Sequence, residues 1–164
     1  MPIEFKKTTY KGHTPEIWRG ECKMLPGGFK PKNTIASGTV LNRGTLVEVF
    51  FDTMEAAVVK VSAVLSGGTA SKPRVAKGHL FAVGDVVTKA GSGASTPTIN
   101  AIDTSEPGYD TITLSAAITG LSANDVLVES EAPSSGQAAK SKYTPNMIVG
   151  AVKTFDGKGL PTID

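Results

Sequence analysis

Residues that could carry catalysis are few in this 164-residue chain. There is one cysteine, Cys22, and there are two histidines, His13 and His79. A nucleophilic mechanism needs a serine or cysteine within hydrogen-bond reach of a base, usually a histidine that a third group orients. The chain has no Gly-x-Ser-x-Gly elbow to present such a serine. The sequence therefore predicts a protein that is not an enzyme, with His79 as a strand-edge or surface residue.

Carboxylates are the other candidates for chemistry. Sugar hydrolysis needs two of them facing each other across about 5 to 10 Å. Asp110 and Asp125 stand at turn positions, where hydrogen bonds to nearby backbone explain them without catalysis. A single cysteine gives no zinc-ligand spacing, and Gly67-Gly68 and Gly91-Ser92-Gly93 lack the lysine and hydroxyl residue of a P-loop. We therefore expect no cofactor and no metal. The acids considered are Asp103, Glu106, Asp110, Asp125, Glu129 and Glu131.

A repeated phrase gives the clearest structural signal. Ala82-Val83-Gly84-Asp85 and Ser122-Ala123-Asn124-Asp125 are each followed by valine and leucine residues. Gly and Asn readily adopt positive φ, the Asp can hydrogen-bond nearby backbone, and the apolar residues after it favour an extended chain. Each copy thus predicts a turn that begins a strand.

Other segments also predict strands. Thr39–Leu41 and Thr45–Phe51 indicate two strands around the loop Asn42-Arg43-Gly44, with Val47, Val49 and Phe51 on one face and Leu46 and Glu48 on the other. Between Met54 and Leu65 we expect a short helical turn over 54–57 and a strand from Val58. Residues 132–145 read as a linker-like loop before a last strand over 146–154. The fold class predicted is all-β, a small barrel or sandwich.

Residues 1–33 have a different pattern and predict an extended N-terminal arm, with the β body in 34–164. Four prolines and a Gly-Gly pair oppose regular hydrogen-bond ladders, whereas scattered aromatic residues offer docking points. Trp18 fits a packing anchor on its own domain as well as it fits an intermolecular contact. The interface residues predicted from this arm are Phe5, Tyr10, Trp18, Arg19 and Phe29.

Charge is distributed unevenly along the chain. Residues 1–43 carry eight Lys or Arg against three acids, and residues 91–139 carry six acids and no Lys or Arg. Such blocks can attract each other within a chain or between copies. Basic residues among aromatics suggest nucleic acid only weakly, because of the acidic block. We expect no nucleic-acid partner. With no apolar run near 20 residues and no apolar leader, the sequence also predicts a soluble protein without a membrane partner.

Five short segments are the basis of a resemblance: Gly38–Thr45, Lys60–Leu65, Lys77–Asp85, Ile99–Leu114 and Asp125-Val126-Leu127. Together they resemble head fibre and capsid decoration proteins of tailed bacteriophages, over about residues 35–130. The resemblance implies a structural virion protein on the outer capsid surface, a homotrimer, with the major capsid protein as its partner. It adds no catalytic residue.

A carbohydrate-binding module is the alternative. In that reading Tyr109, Trp18 or Tyr143 would stack on sugar rings. The two hypotheses differ in oligomeric state and in partner, because a virion protein of this kind assembles and a binding module can act as a monomer. A glycan is therefore kept as a possible partner.

Overall fold

The computed structural model describes residues 28–91, 95–131 and 139–155. These residues form twelve strands in three sheets, with no helix among them, which confirms the all-β prediction. The strands are β1 (Lys30–Pro31), β2 (Val40–Leu41), β3 (Leu46–Phe50), β4 (Glu55–Val58), β5 (Val61–Leu65), β6 (Arg74–Val75), β7 (Val87–Lys89), β8 (Ile99–Asp103), β9 (Asp110–Leu114), β10 (Val126–Glu129), β11 (Met147–Ile148) and β12 (Lys153–Thr154).

The largest sheet has six strands in the order β7-β10-β5-β6-β9-β8, all paired antiparallel, and it curls into a half-barrel. Its two outer strands approach each other. The N–H of Val87 donates to the Pro97 carbonyl at 3.0 Å, and the N–H of Ile99 donates to the Asp85 carbonyl at 2.8 Å. Alternate residues of β9 face inward, as the period of two requires. The enclosed core contains Val64, Val75, Phe81, Val87, Ile99, Ile112, Leu114, Ile118 and Leu127.

A four-stranded sheet in the order β1-β4-β3-β11 carries the second core. Val47 and Val49 are buried whereas Leu46 and Glu48 are half-buried, which confirms the alternation predicted for these four residues. The prediction for Phe51 is wrong: Phe51 does not share the face of Val47 and Val49, because it lies beyond the strand in a turn and is exposed. The third sheet pairs β2 with β12. The second core contains Phe29, Leu41, Val47, Val49, Ala56, Val58, Val149 and Phe155.

The two strands predicted around Asn42-Arg43-Gly44 are present as β2 and β3. They do not pair with each other, because β2 pairs with β12 while β3 lies between β4 and β11. Another local prediction is wrong. The expected helical turn over 54–57 is absent, since β4 starts at Glu55 directly after Met54, whose φ is +53°. Asn33 explains the extended conformation: its side chain exchanges hydrogen bonds with both the N–H and the carbonyl of Val58, at 3.0 and 2.9 Å.

The ends of the predicted arm and linker carry regular pairing. β1 lies within the predicted arm and pairs in parallel with β4, while residues 1–27 lie outside the described residues. In the linker-like loop, residues 132–138 are likewise outside, and Ser141 forms a bridge with Ser130. In place of one last strand, this part of the chain contributes two short strands, β11 and β12, to different sheets.

Candidate functional site

The two repeated phrases fold into equivalent turns, which confirms that prediction. Gly84 and Asn124 have φ values of +94° and +72°. The N–H of Asp85 donates to the Ala82 carbonyl at 3.1 Å, and the N–H of Asp125 donates to the Ser122 carbonyl at 3.2 Å. In each turn the aspartate carboxylate accepts the N–H of the first turn residue at 2.7 Å. The aspartate therefore closes its own turn.

Each turn also forms a bulge against a neighbouring segment. Gly84 and Asp85 share one partner, Ile99, whose carbonyl accepts the Gly84 N–H and whose N–H reaches the Asp85 carbonyl, both at 2.8 Å. Asn124 and Asp125 bind Val64 in the same way at the same distances. Two residues opposite one define a β-bulge, and bulges reorient a side chain. The bulges fix the position of Asp85 and Asp125 just before strands β7 and β10.

Asp85 belongs to a network of four charged residues. Lys60 Nζ lies 2.8 and 2.7 Å from the two oxygens of Asp85, and 4.0 Å from Glu129 Oε2. Lys142 Nζ donates to Glu129 Oε1 at 2.7 Å, and this contact raises the pKa of Lys142. Lys60, Asp85 and Glu129 are 12%, 15% and 5% exposed. Three of the four charges are thus largely removed from water.

Glu129 is the least satisfied member of this network. Its N–H pairs with the Lys60 carbonyl at 3.0 Å, so the two side chains start from adjacent strand positions. Its Oε2 is buried and accepts no hydrogen bond from the described residues. Buried polar atoms nearly always have a partner, so an orphaned carboxylate oxygen beside a lysine calls for an explanation.

The second turn has its own lysine partner. Lys89 Nζ lies 2.8 Å from Asp125 Oδ2, with side chains that are 24% and 23% exposed. The hydrogen bond from Lys89, and then that from the Ser122 N–H, lower the pKa of Asp125. The two turns therefore carry similar Lys-Asp pairs in environments of different burial.

His79 forms a separate cluster, and its buried side chain contradicts the prediction of a strand-edge or surface residue. Its side chain is 6% exposed. Nδ1 accepts the Phe81 N–H at 3.2 Å, and Nε2 lies 3.3 Å from Asp110 Oδ2 without the alignment of a hydrogen bond. Lys77 Nζ contacts Asp110 Oδ1 at 2.6 Å. Burial lowers the pKa of His79 although the Asp110 carboxylate acts to raise it.

A cleft with a volume of about 630 Å³ lies between the network of Asp85 and the side chain of His79. That volume lies within the range of small-molecule sites. All four residues of the Asp85 network line it, and His79 is the one titratable residue of its own cluster that does so, together with hydroxyl and aromatic residues. Its polar and aromatic lining includes Lys32, Asn33, Thr34, Thr39, Lys60, His79, Phe81, Asp85, Glu129, Lys142 and Tyr143.

No family model matches the chain. Searches of curated proteins and of solved structures also find no significant match. In residues 28–91, 95–131 and 139–155, no group of three or more His, Cys, Asp or Glu residues is arranged to hold a metal ion. Over the same residues, no helix with the length and apolarity needed to cross a bilayer is present.

Only one of the five predicted interface residues lies in the described part of the chain. Phe29 is 7% exposed and its ring meets Phe51 edge to face, with centroids 6.1 Å apart and planes at 84°. Phe29 therefore packs on its own chain. Phe5, Tyr10, Trp18 and Arg19 lie outside the described residues, so their role stays a prediction.

The aromatic residues considered for sugar stacking lie in two different places. Arg74 covers the ring of Tyr109 at 4.4 Å from its centroid, whereas Tyr143 lines the cleft with Lys142 Nζ 5.5 Å from its ring. Trp18 is outside the described residues. Of the two candidates in the described residues, Tyr143 lines the cleft and Tyr109 does not.

Sequence reasoning missed Lys60 and Lys142 and gave Glu129 no role. A signal was present for two of them. Lys60 interrupts the apolar run Val58–Val64, and Glu129 ends the run Val126–Val128. A charge within a strand that is otherwise apolar indicates a buried, paired group.

Proposed function

We propose that this protein is a structural component of a phage virion, attached as a homotrimer to the major capsid protein at the outer surface of the head. The proposal starts from the resemblance of residues 35–130 to head fibre and capsid decoration proteins. It is supported by the all-β fold, in which the phrases that carry the resemblance form turns and strands of one body.

The observation that carries the attachment surface is an apolar corner at the turn between β3 and β4. Phe51 and Met54 are 54% and 52% exposed there. Phe29, the last aromatic of the predicted arm, packs against Phe51 at the same corner. Contiguous exposed apolar patches are typical of surfaces that bind other proteins, and Phe51 and Met54 lie in one turn. The corner and the arm together therefore form the proposed attachment surface.

Binding of the full-length protein to undecorated phage heads tests this function. We expect the protein to co-sediment with heads and to elute as a trimer in size exclusion with light scattering. Replacing Phe51 and Met54 by Ser should abolish sedimentation with heads while leaving the circular dichroism spectrum unchanged. Val83→Ser, at a residue that is 62% exposed in another turn, is the matched control. A monomeric protein that does not co-sediment with phage heads would contradict the proposal.

A carbohydrate-binding function is the second candidate, because the cleft contains the one described tyrosine that could stack on a sugar beside charged and hydroxyl groups. A glycan array with the full-length protein distinguishes the two. Specific glycan hits that disappear in Tyr143→Ala, without binding to heads, would favour the binding module. Tyr109→Ala is its control, since that ring lies beneath Arg74.

A further inference from the structure

We propose that Lys60 and Asp85 become joined by an intramolecular amide bond, with Glu129 relaying a proton in the reaction. The proposal concerns the half-barrel itself and does not depend on the proposed function. Three observations carry it: the two-oxygen contact of Lys60 with Asp85, the burial of both side chains, and the orphaned oxygen of Glu129 beside the same ammonium.

The reacting atoms are already close. Because Lys60 Nζ contacts both oxygens of Asp85 at 2.8 and 2.7 Å, it lies near the carboxyl carbon between them. Intramolecular reactions gain most when the reacting atoms are held near contact distance. Rotation about the Cβ–Cγ bond of Asp85, a soft torsion, loosens the hydrogen bond from the Ala82 N–H to Oδ2 and turns the face of the carboxyl carbon toward the nitrogen.

Backbone contacts hold all three groups in place. The backbone of Asp85 is fixed by the bulge on Ile99, which leaves its carboxyl group free to rotate. Lys60 and Glu129 are fixed to each other by the hydrogen bond between the Glu129 N–H and the Lys60 carbonyl. The side chains therefore meet without any rearrangement of strands.

The step balances without a co-reactant. Glu129 Oε2, which lies 4.0 Å from Lys60 Nζ, moves into hydrogen-bond distance and takes one proton from the ammonium, and the free amine attacks Cγ of Asp85. The new C–N bond forms as one C–O bond of the carboxyl group breaks. Two of the three ammonium protons end on the departing oxygen, one of them returned by Glu129, and that oxygen leaves as water. The products are a neutral amide, one water molecule and an unchanged Glu129.

Burial favours the product over the ion pair. Two charges held out of water carry a desolvation cost, which the neutral amide removes. The amide keeps one N–H on the former Nζ, next to Glu129 Oε2. The orphaned oxygen then gains a donor, as buried polar atoms require.

The test is mass spectrometry of the denatured full-length protein. We expect an intact mass lower than that of the linear chain by one water molecule. Proteolysis should yield a branched peptide that joins the segment around Lys60 to the segment around Asp85. A succinimide at Asp156-Gly157 would change the mass equally but give no branched peptide. Full linear mass in the wild type, or water loss without that peptide, overturns the proposal.

Variants assign the roles. Lys60→Arg should restore the full linear mass, and Glu129→Gln should restore it while circular dichroism shows an intact fold. Lys89→Arg, in the more exposed pair with Asp125, is the matched control and should still lack one water molecule. Complete bond formation in Glu129→Gln would refute the relay role. Even if a variant fails to fold, the presence or absence of the branched peptide in the wild type shows whether Lys60 and Asp85 are joined.

Discussion

Asp85 and Asp125 hold equivalent positions in the half-barrel. Each carboxylate accepts a backbone N–H of its own turn at 2.7 Å, and each aspartate forms a bulge against a neighbouring segment. Each also forms an ion pair with a lysine. The strands that follow them, β7 and β10, pair antiparallel with each other. The two turns therefore lie at opposite ends of one strand pair, and similar local sequences form both ends.

Gly84→Ala tests the conformational requirement of the first turn. A Cβ at Gly84 would meet no atom within 4 Å, so any loss of stability in the variant comes from the φ of +94° at this position. An L-residue in the left-handed region costs about 1–2 kcal/mol, and urea unfolding should show a decrease of that size in the free energy of unfolding. Gly108→Ala, at an equally open glycine without positive φ, should leave stability almost unchanged. Equal losses in both variants would contradict the explanation.

Asp125→Asn tests the charge in the second turn. The folded state lowers the pKa of Asp125 below its ordinary value of 3.8, through Lys89 first and the Ser122 N–H second. A carboxylate with a lowered pKa contributes stability above its unfolded pKa and loses it as the pH falls through the folded pKa. The variant should be less stable than the wild type at neutral pH, and the difference should shrink in acid. Glu106→Gln, on an exposed turn, serves as the control. A pH-independent difference would exclude the charge as its source.

The turns could be predicted from sequence because residue type decides them locally. Gly84 and Asn124 are among the few residues that accept positive φ, and the aspartate that follows supplies the closing acceptor. The pairing of β2 with β12 could not be predicted in this way. It joins Leu41 to Lys153, and two-residue strands leave no periodic pattern to match.

The charge network could not be predicted from the sequence, for a related reason. Lys60, Asp85 and Glu129 come from three separate segments, and they meet only because β10 pairs with β5 while the turn before β7 folds over them. The sequence shows that a charged residue stands among valines, but it does not show which residue pairs with it. The resemblance to virion proteins rests on short turn and strand segments, and it does not predict a charge cluster either.

Ile112→Ala tests whether the half-barrel core carries the stability of the described body. Ile112 is fully buried, and its truncation leaves a cavity among tightly packed residues. Such changes cost about 2–5 kcal/mol. Urea unfolding should show this loss, whereas Val83→Ala, at a residue that is 62% exposed, should change the free energy of unfolding little. A small loss for Ile112→Ala would mean that the core collapses around the smaller side chain.

Protonation of His79 should destabilise the fold as the pH falls below neutrality. Burial lowers the pKa of His79 below its ordinary value of 6.5, and the nearby Asp110 carboxylate does not reverse this. Between the folded pKa and 6.5 the unfolded chain binds more protons, so the free energy of unfolding decreases as the pH drops through that window. Urea midpoints measured across it should fall for the wild type and for His13→Gln, the change at the other histidine. His79→Gln, which keeps an acceptor for the Phe81 N–H, should show a flatter profile; a profile as steep as that of the wild type would assign the pH dependence to other groups.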